Sequence, residues 1–94
     1  MLDIEVQENG DILLTGRFDA SQVEKAKGVL SKIEDAITVD FAGLDYISSA
    51  GLGELLQVQK RLMDKGQSLR LINLNKYIND VFTYAGFHSI FKIE

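Results

Sequence analysis

Asp40-Phe41-Ala42-Gly43-Leu44-Asp45-Tyr46-Ile47-Ser48-Ser49-Ala50-Gly51-Leu52-Gly53-Glu54-Leu55-Leu56 is the stretch around which this chain is organised. It reads as an apolar strand, a short loop, two serines at the mouth of a helix, and glycines in that helix's first turn. Serine suits an N-cap because its hydroxyl accepts a hydrogen bond from a backbone N–H that the helix leaves unpaired. The cap accounts for one serine at most. Two glycines inside a helix each cost on the order of 1 kcal/mol relative to alanine. Something therefore approaches the backbone closely there, either the chain's own sheet or a partner.

Upstream, Leu2, Ile4 and Val6 alternate with Asp3, Glu5 and Gln7, the period of a half-buried strand. Glu8-Asn9-Gly10-Asp11 is a turn, and Ile12, Leu13 and Leu14 begin a second strand that ends at Thr15-Gly16, completing a hairpin. Asp19 with Gln22 and Ser21 with Glu24 are overlapping capping boxes. They open a helix whose apolar side is Val23, Ala26, Leu30 and Ile33, with Lys25, Lys27 and Lys32 facing water. Ile37, Val39 and Phe41 form a short third strand that leads into the serine loop.

Downstream, the helix from about Ser49 to Lys65 places Leu52, Leu55, Leu56, Leu62 and Met63 on one face, and Gly66 stops it. Leu69, Leu71 and Ile72 give a fourth strand. Asn73 or Asn75 caps a third helix with Tyr77, Ile78, Val81, Phe82 and Ala85 inward, closed by Gly86. Phe87 through Ile93 gives a last strand, with Ile90 and Phe91 packed inward. The order ββαβαβαβ predicts an α/β fold in a single domain over residues 1–94. Its mixed sheet has parallel members joined by crossovers and one antiparallel member from the opening hairpin.

Composition narrows function. A 94-residue chain of net charge −4 lacks the basic face that nucleic acid or anionic lipid requires. Protein partners fit better. The absence of cysteine excludes disulfides, thiolate chemistry and cysteine-type metal sites. No apolar run nears the roughly 20 residues needed to span a bilayer. Acidic residues stand where a secretory signal would be basic, so cytoplasmic localisation and no membrane insertion are expected.

Catalytic signals are weak. Ile47-Ser48-Ser49-Ala50-Gly51 lacks the first glycine of a nucleophile elbow. The only histidine, His88, precedes the last strand and reads as a boundary residue or a partly buried structural one. Gly51-Leu52-Gly53 is an incomplete nucleotide fingerprint with Leu56 where its third glycine would stand. One histidine and scattered carboxylates give no metal cluster. The expectation is a non-enzyme with no cofactor and no metal. What remains is a hydroxyl open to modification, since a phosphate at a helix N-terminus is favoured locally by roughly 0.3–1 kcal/mol. The alternative is that both serines serve only as cap and loop.

At Ser48-Ser49-Ala50-Gly51-Leu52-Gly53 the chain resembles the STAS domain, the family of bacterial anti-sigma factor antagonists. The family carries an apolar strand, a loop of the form Asp-Ser-Ser/Thr-Gly-Leu-Gly and an amphipathic helix. Leu14-Thr15-Gly16-Arg17-Phe18-Asp19 is similar to its second-strand segment, and the element order agrees across the whole chain. The resemblance implies partner switching. The dephosphorylated protein binds an anti-sigma factor, a serine kinase of the histidine-kinase-like ATPase type. Phosphorylation ends the complex, and a serine phosphatase resets it.

Matched by position, the acceptor is Ser49. The family's preceding acid is Ser48 here and its following Ser/Thr is Ala50, which makes Ser48 a rival acceptor. Asp19 matches the loop acid near the acceptor; it either positions the hydroxyl or caps the first helix. Leu44, Tyr46, Leu52 and Glu54 are the expected docking surface, with Leu52 equally able to be core. Gly51 and Gly53 allow close approach of the helix to a partner or to the sheet. Some STAS domains are unmodified scaffolds. The second reading is accordingly a subunit that holds the ATPase of an ABC-type lipid transport complex.

Overall fold

The computed structural model describes residues 1–94. Its elements run β1 (Leu2–Val6), β2 (Ile12–Phe18), a 3-10 turn (Ala20–Gln22), α1 (Val23–Leu30), β3 (Thr38–Ile47), α2 (Ser49–Asp64), β4 (Arg70–Ile72), α3 (Lys76–Tyr84), a second 3-10 turn (Phe87–Ser89) and β5 (Lys92–Ile93). The predicted ββαβαβαβ order is present. The strands form one five-stranded sheet in the order β1-β2-β3-β4-β5. The β1–β2 hairpin is antiparallel and every later pair is parallel, as crossover helices between neighbouring strands require.

All three helices contribute to one core. Ala26 and Leu30 of α1, Leu52, Leu55, Val58 and Leu62 of α2, and Ile78 and Phe82 of α3 join Leu14, Val39, Phe41 and Leu71 of the sheet in a single buried cluster. The Phe82 ring meets Phe41, Phe87 and Phe91 at 5.7–5.9 Å in edge-on contacts. Such pairs add roughly 0.5–1.5 kcal/mol beyond the area they bury. Between the buried positions, Thr15, Arg17, Ala42, Arg70 and Lys92 are exposed, so one face of the sheet is covered and the other open.

Local signals place the boundaries. Asn75 accepts the Ile78 N–H at 2.8 Å and caps α3. Gly66 and Gly86 follow α2 and α3 with positive φ, a conformation that glycine reaches without Cβ strain.

Several expectations are corrected. β2 continues through Phe18, and β3 runs on to Ile47 in place of a loop after Phe41. The extra length is accommodated by two irregularities: Leu13 faces Asp40 but Thr15 faces Gly43, and Gly16 faces Leu44 but Arg17 faces Tyr46. Bulges of this kind add a residue on one strand and break the alternation that sequence reading relies on. α1 ends at Leu30, leaving Ile33 buried just beyond it. Neither capping box forms there: Gln22 bonds Leu2, and the Ser21 hydroxyl bonds Asp19. Met63 and Tyr77 are about half exposed, Leu56 is only half-buried, Ala85 is exposed and Val6 stands in solvent. The terminal strand shrinks to Lys92–Ile93 because Phe87–Ser89 makes a 3-10 turn, and His88 is exposed on that turn, at the strand boundary and not partly buried.

Candidate functional site

The site grows from the joint between β3 and α2. Ser48 is extended, at φ −87 and ψ 168. Its N–H donates to the Phe18 carbonyl at 2.8 Å, continuing the sheet by one bond, and its carbonyl accepts the Leu52 N–H at 2.9 Å. Its hydroxyl accepts the Gly51 N–H at 3.1 Å. Ser48 is thus the N-cap with each of its polar groups engaged. Ser49 is the first helical residue and is exposed; its hydroxyl has no comparable internal partner. The first turn of α2 contains no acidic residue, so no carboxylate of the helix's own first turn competes for its positive end.

The two glycines separate in role. A Cβ on Gly51 would lie 3.0 Å from Ile47 Cγ1 and 3.0 Å from the Phe18 ring, so this glycine lets the helix sit down on the sheet. A Cβ on Gly53 would meet nothing within 4 Å.

Two expected docking residues belong to the core instead. Leu44 is 1 % exposed and Leu52 is 8 % exposed. The bulged register of β3 turns Leu44 inward, and its carbonyl accepts from the Asn75 side chain at 3.1 Å. Leu52 takes the core option that its helical spacing left open. Glu54 points along α2 toward α1, where its carboxylate lies 3.8 Å from Lys27 Nζ. Tyr46 is half-buried, with the Arg17 guanidinium 4.3 Å above its ring and Tyr77 stacked on it at 6.2 Å and 17°.

Arg17 and Tyr77 were not assigned to the site from the sequence. The signal for Arg17 is its cross-strand position opposite Tyr46, which depends on the bulges and is invisible without the register. Tyr77 occupies a position that helical spacing assigns to the core.

Asp19 follows Phe18, whose carbonyl holds Ser48, so Asp19 and Ser49 leave the sheet at the same end. Its Oδ1 accepts the Ser21 hydroxyl at 2.5 Å and the Ser21 N–H at 3.1 Å. The hydroxyl bond from Ser21 holds the carboxyl below its ordinary range, aided less by the Ser21 N–H, the chain's amino terminus and Arg17. The capping role expected for Asp19 is fulfilled, on the 3-10 turn rather than on α1.

The whole arrangement is an exposed hydroxyl at a helix mouth, backed by tight glycine packing and flanked by an acid and a cation–aromatic stack. No three His, Asp or Glu side chains cluster closely enough to hold a metal ion. No helix is long and apolar enough to cross a membrane.

Comparison with known proteins gives concordant results. The family model described as "Mlab, STAS domain" matches residues 4–93. BtrV of Bordetella bronchiseptica, named as a candidate anti-sigma factor antagonist, is 39% identical over 84 residues, which is 85% of this chain and 72% of BtrV. Two solved structures share the fold at low identity. The candidate anti-sigma factor antagonist of Thermotoga maritima superposes with a TM-score of 0.80 at 17% identity, covering 98% of this chain and 84% of that one. The phosphorylated form of the Bacillus cell fate determinant SpoIIAA superposes with a TM-score of 0.71 at 19% identity, covering 100% and 91%.

Proposed function

This chain belongs to the STAS domain family, and from that premise we propose that residues 1–94 act as one anti-sigma factor antagonist domain. Its unmodified form docks the end of the sheet around α2 onto an anti-sigma factor that is also a serine kinase of the histidine-kinase-like ATPase type. Phosphorylation of Ser49 ends that complex, and a serine phosphatase restores it. The cycle runs in the cytoplasm and the domain itself catalyses nothing.

One observation carries the reading. Of two adjacent serines, Ser48 is fully engaged as the cap and Ser49 is exposed at the electropositive helix mouth. A phosphate on Ser49 gains local stabilisation from the helix, so the fold tolerates it. A partner seated over Ser49 instead meets about −1.5 to −2 charges. The residues offered to that partner are Ser49, Gly53, Tyr46 and Asp19, together with Arg17 and Tyr77. Gly51 and Ser48 support them from beneath.

Incubation with the kinase and ATP, followed by mapping of the modified peptide, tests the assignment. The account predicts one phosphate on Ser49, none on Ser49→Ala, and continued modification of Ser48→Ala. Phosphate on Ser48 alone would contradict it.

A second reading keeps the same docking face without modification. It is favoured by Ser48 standing where the family's loop has an acid, and it makes the domain a scaffold that binds the ATPase of an ABC-type lipid transport complex. Capture of such an ATPase, with no phosphorylated form recovered from cells, would select it.

A further inference from the structure

The outer edge of β1 is closed at one end and open at the other. The Arg17 N–H donates to the Met1 carbonyl at 2.7 Å, and the Gln7 N–H donates to the Asp11 carbonyl at 2.8 Å. In the antiparallel ladder Leu2 stands opposite Gly16 and Val6 opposite Ile12. These bonds fix the alternation: Met1, Asp3, Glu5 and Gln7 turn their backbone groups toward β2, and Leu2, Ile4 and Val6 turn theirs outward. At Leu2 both outward groups are occupied, the N–H by Gln22 Oε1 at 3.0 Å and the carbonyl by the Lys25 ammonium. No side chain does this at Ile4 or Val6.

An apolar groove lies beside that open edge, lined by Val6, Ile12, Val29, Ile33 and Ile37. Val6 is 58% exposed. The surroundings are acidic: Glu5, Glu8, Glu34 and Asp35 are all exposed, against Lys32 at the groove and Lys25, which lies 3.9 Å from Asp3. Exposed strand edges are ready templates for another strand.

We infer that the Ile4–Val6 edge of β1 receives an extended segment of a partner protein, with Lys or Arg at alternate positions and β-branched side chains between them. The segment adds to the sheet as a sixth strand. Its apolar side chains enter the groove, and its cations stand opposite Asp3 and Glu5 on the open face, where opposite charges pair favourably. A second copy of this chain is the wrong occupant, because an antiparallel β1–β1 pair would set Asp3 and Glu5 against their own like charges. This surface is separate from the Ser49 site and does not depend on it.

The test is an amide NMR titration of the intact chain with a capped five-residue peptide of alternating lysine and valine. The structure predicts shifts confined to β1 and the groove, slowed exchange of the Ile4 and Val6 amides, weakening with salt, and no binding of the peptide with glutamate in place of lysine. Val6→Pro removes an outward N–H and leaves the β1–β2 ladder intact; it should weaken binding by about tenfold. Glu5→Lys, which touches no backbone bond, should weaken the preference for the lysine peptide. Shifts located elsewhere, equal binding of both peptides, or unchanged preference in Glu5→Lys would overturn the inference. So would concentration-dependent dimerisation through β1.

Discussion

The backbone of Gly51 passes so close to Phe18 that a Cβ added to it would stand 3.0 Å from the ring atoms Cγ and Cδ1. The first turn of α2 is therefore fitted to the sheet at a single point, and the neighbouring Ser49 is held at a fixed height above it.

That contact separates two helical glycines. Gly51→Ala forces Phe18 or Ile47 to move and should cost about 1–3 kcal/mol, despite alanine's higher helix propensity. Gly53→Ala meets open space and should stabilise by up to about 1 kcal/mol. Chemical denaturation of the two variants checks the opposite signs.

The two serines should separate in the same way. Ser48→Ala leaves the Gly51 N–H without its partner and should cost about 1 kcal/mol. For a domain of this size that is a fall of roughly 4–8 °C in Tm. Ser49→Ala removes an exposed hydroxyl and should leave Tm unchanged. Thermal melts followed by circular dichroism distinguish them.

Gln59 is the buried polar residue of α2, 1 % exposed. Its amide donates to Ser68 Oγ at 2.8 Å and to the Ile90 carbonyl at 2.6 Å, and its oxygen accepts the Leu69 N–H at 2.8 Å. It joins α2 to the approaches of β4 and β5. Gln59→Leu fills similar space but orphans the buried Leu69 N–H, so a loss of about 1–3 kcal/mol is expected in denaturant titration.

Acid should loosen the chain through two carboxylates. The Ser21 hydroxyl holds Asp19 below its ordinary range, and the Arg70 guanidinium, bonded at 2.5 Å and 3.0 Å, does the same for Glu94. A carboxylate whose folded pKa is depressed stabilises the fold above its unfolded pKa. That contribution fades as pH falls from about 4 through the folded value. Asp19→Asn should flatten part of the Tm decline between pH 5 and pH 2 and leave Tm at pH 7 lower than wild type.

The sequence carried the element order because its signals are local. Asn75, Gly66 and Gly86 each mark a helix end through a side chain or a positive φ that acts within one turn. The apolar stripe of α2 was legible from spacing at Leu52, Leu55 and Leu62. Leu44 was misassigned because its inward turn follows from bulges that only the paired register reveals. Gln59 escaped notice since nothing in its neighbours announces that Ser68, Leu69 and Ile90 converge on it. Tyr46 stood out in the sequence, but the Arg17 and Tyr77 that pack against its ring come from a different strand and a different helix. The serine pair was visible from the outset; which of the two is committed to the cap required the 3.1 Å bond to Gly51.

The most direct test of the account is calorimetric titration of the anti-sigma factor kinase with the wild-type chain, Ser49→Ala and Ser49→Asp. The account predicts tight binding by the first two and a loss of at least about tenfold for Ser49→Asp, with all three chains equally folded. Equal affinity of Ser49→Asp and wild type would contradict it.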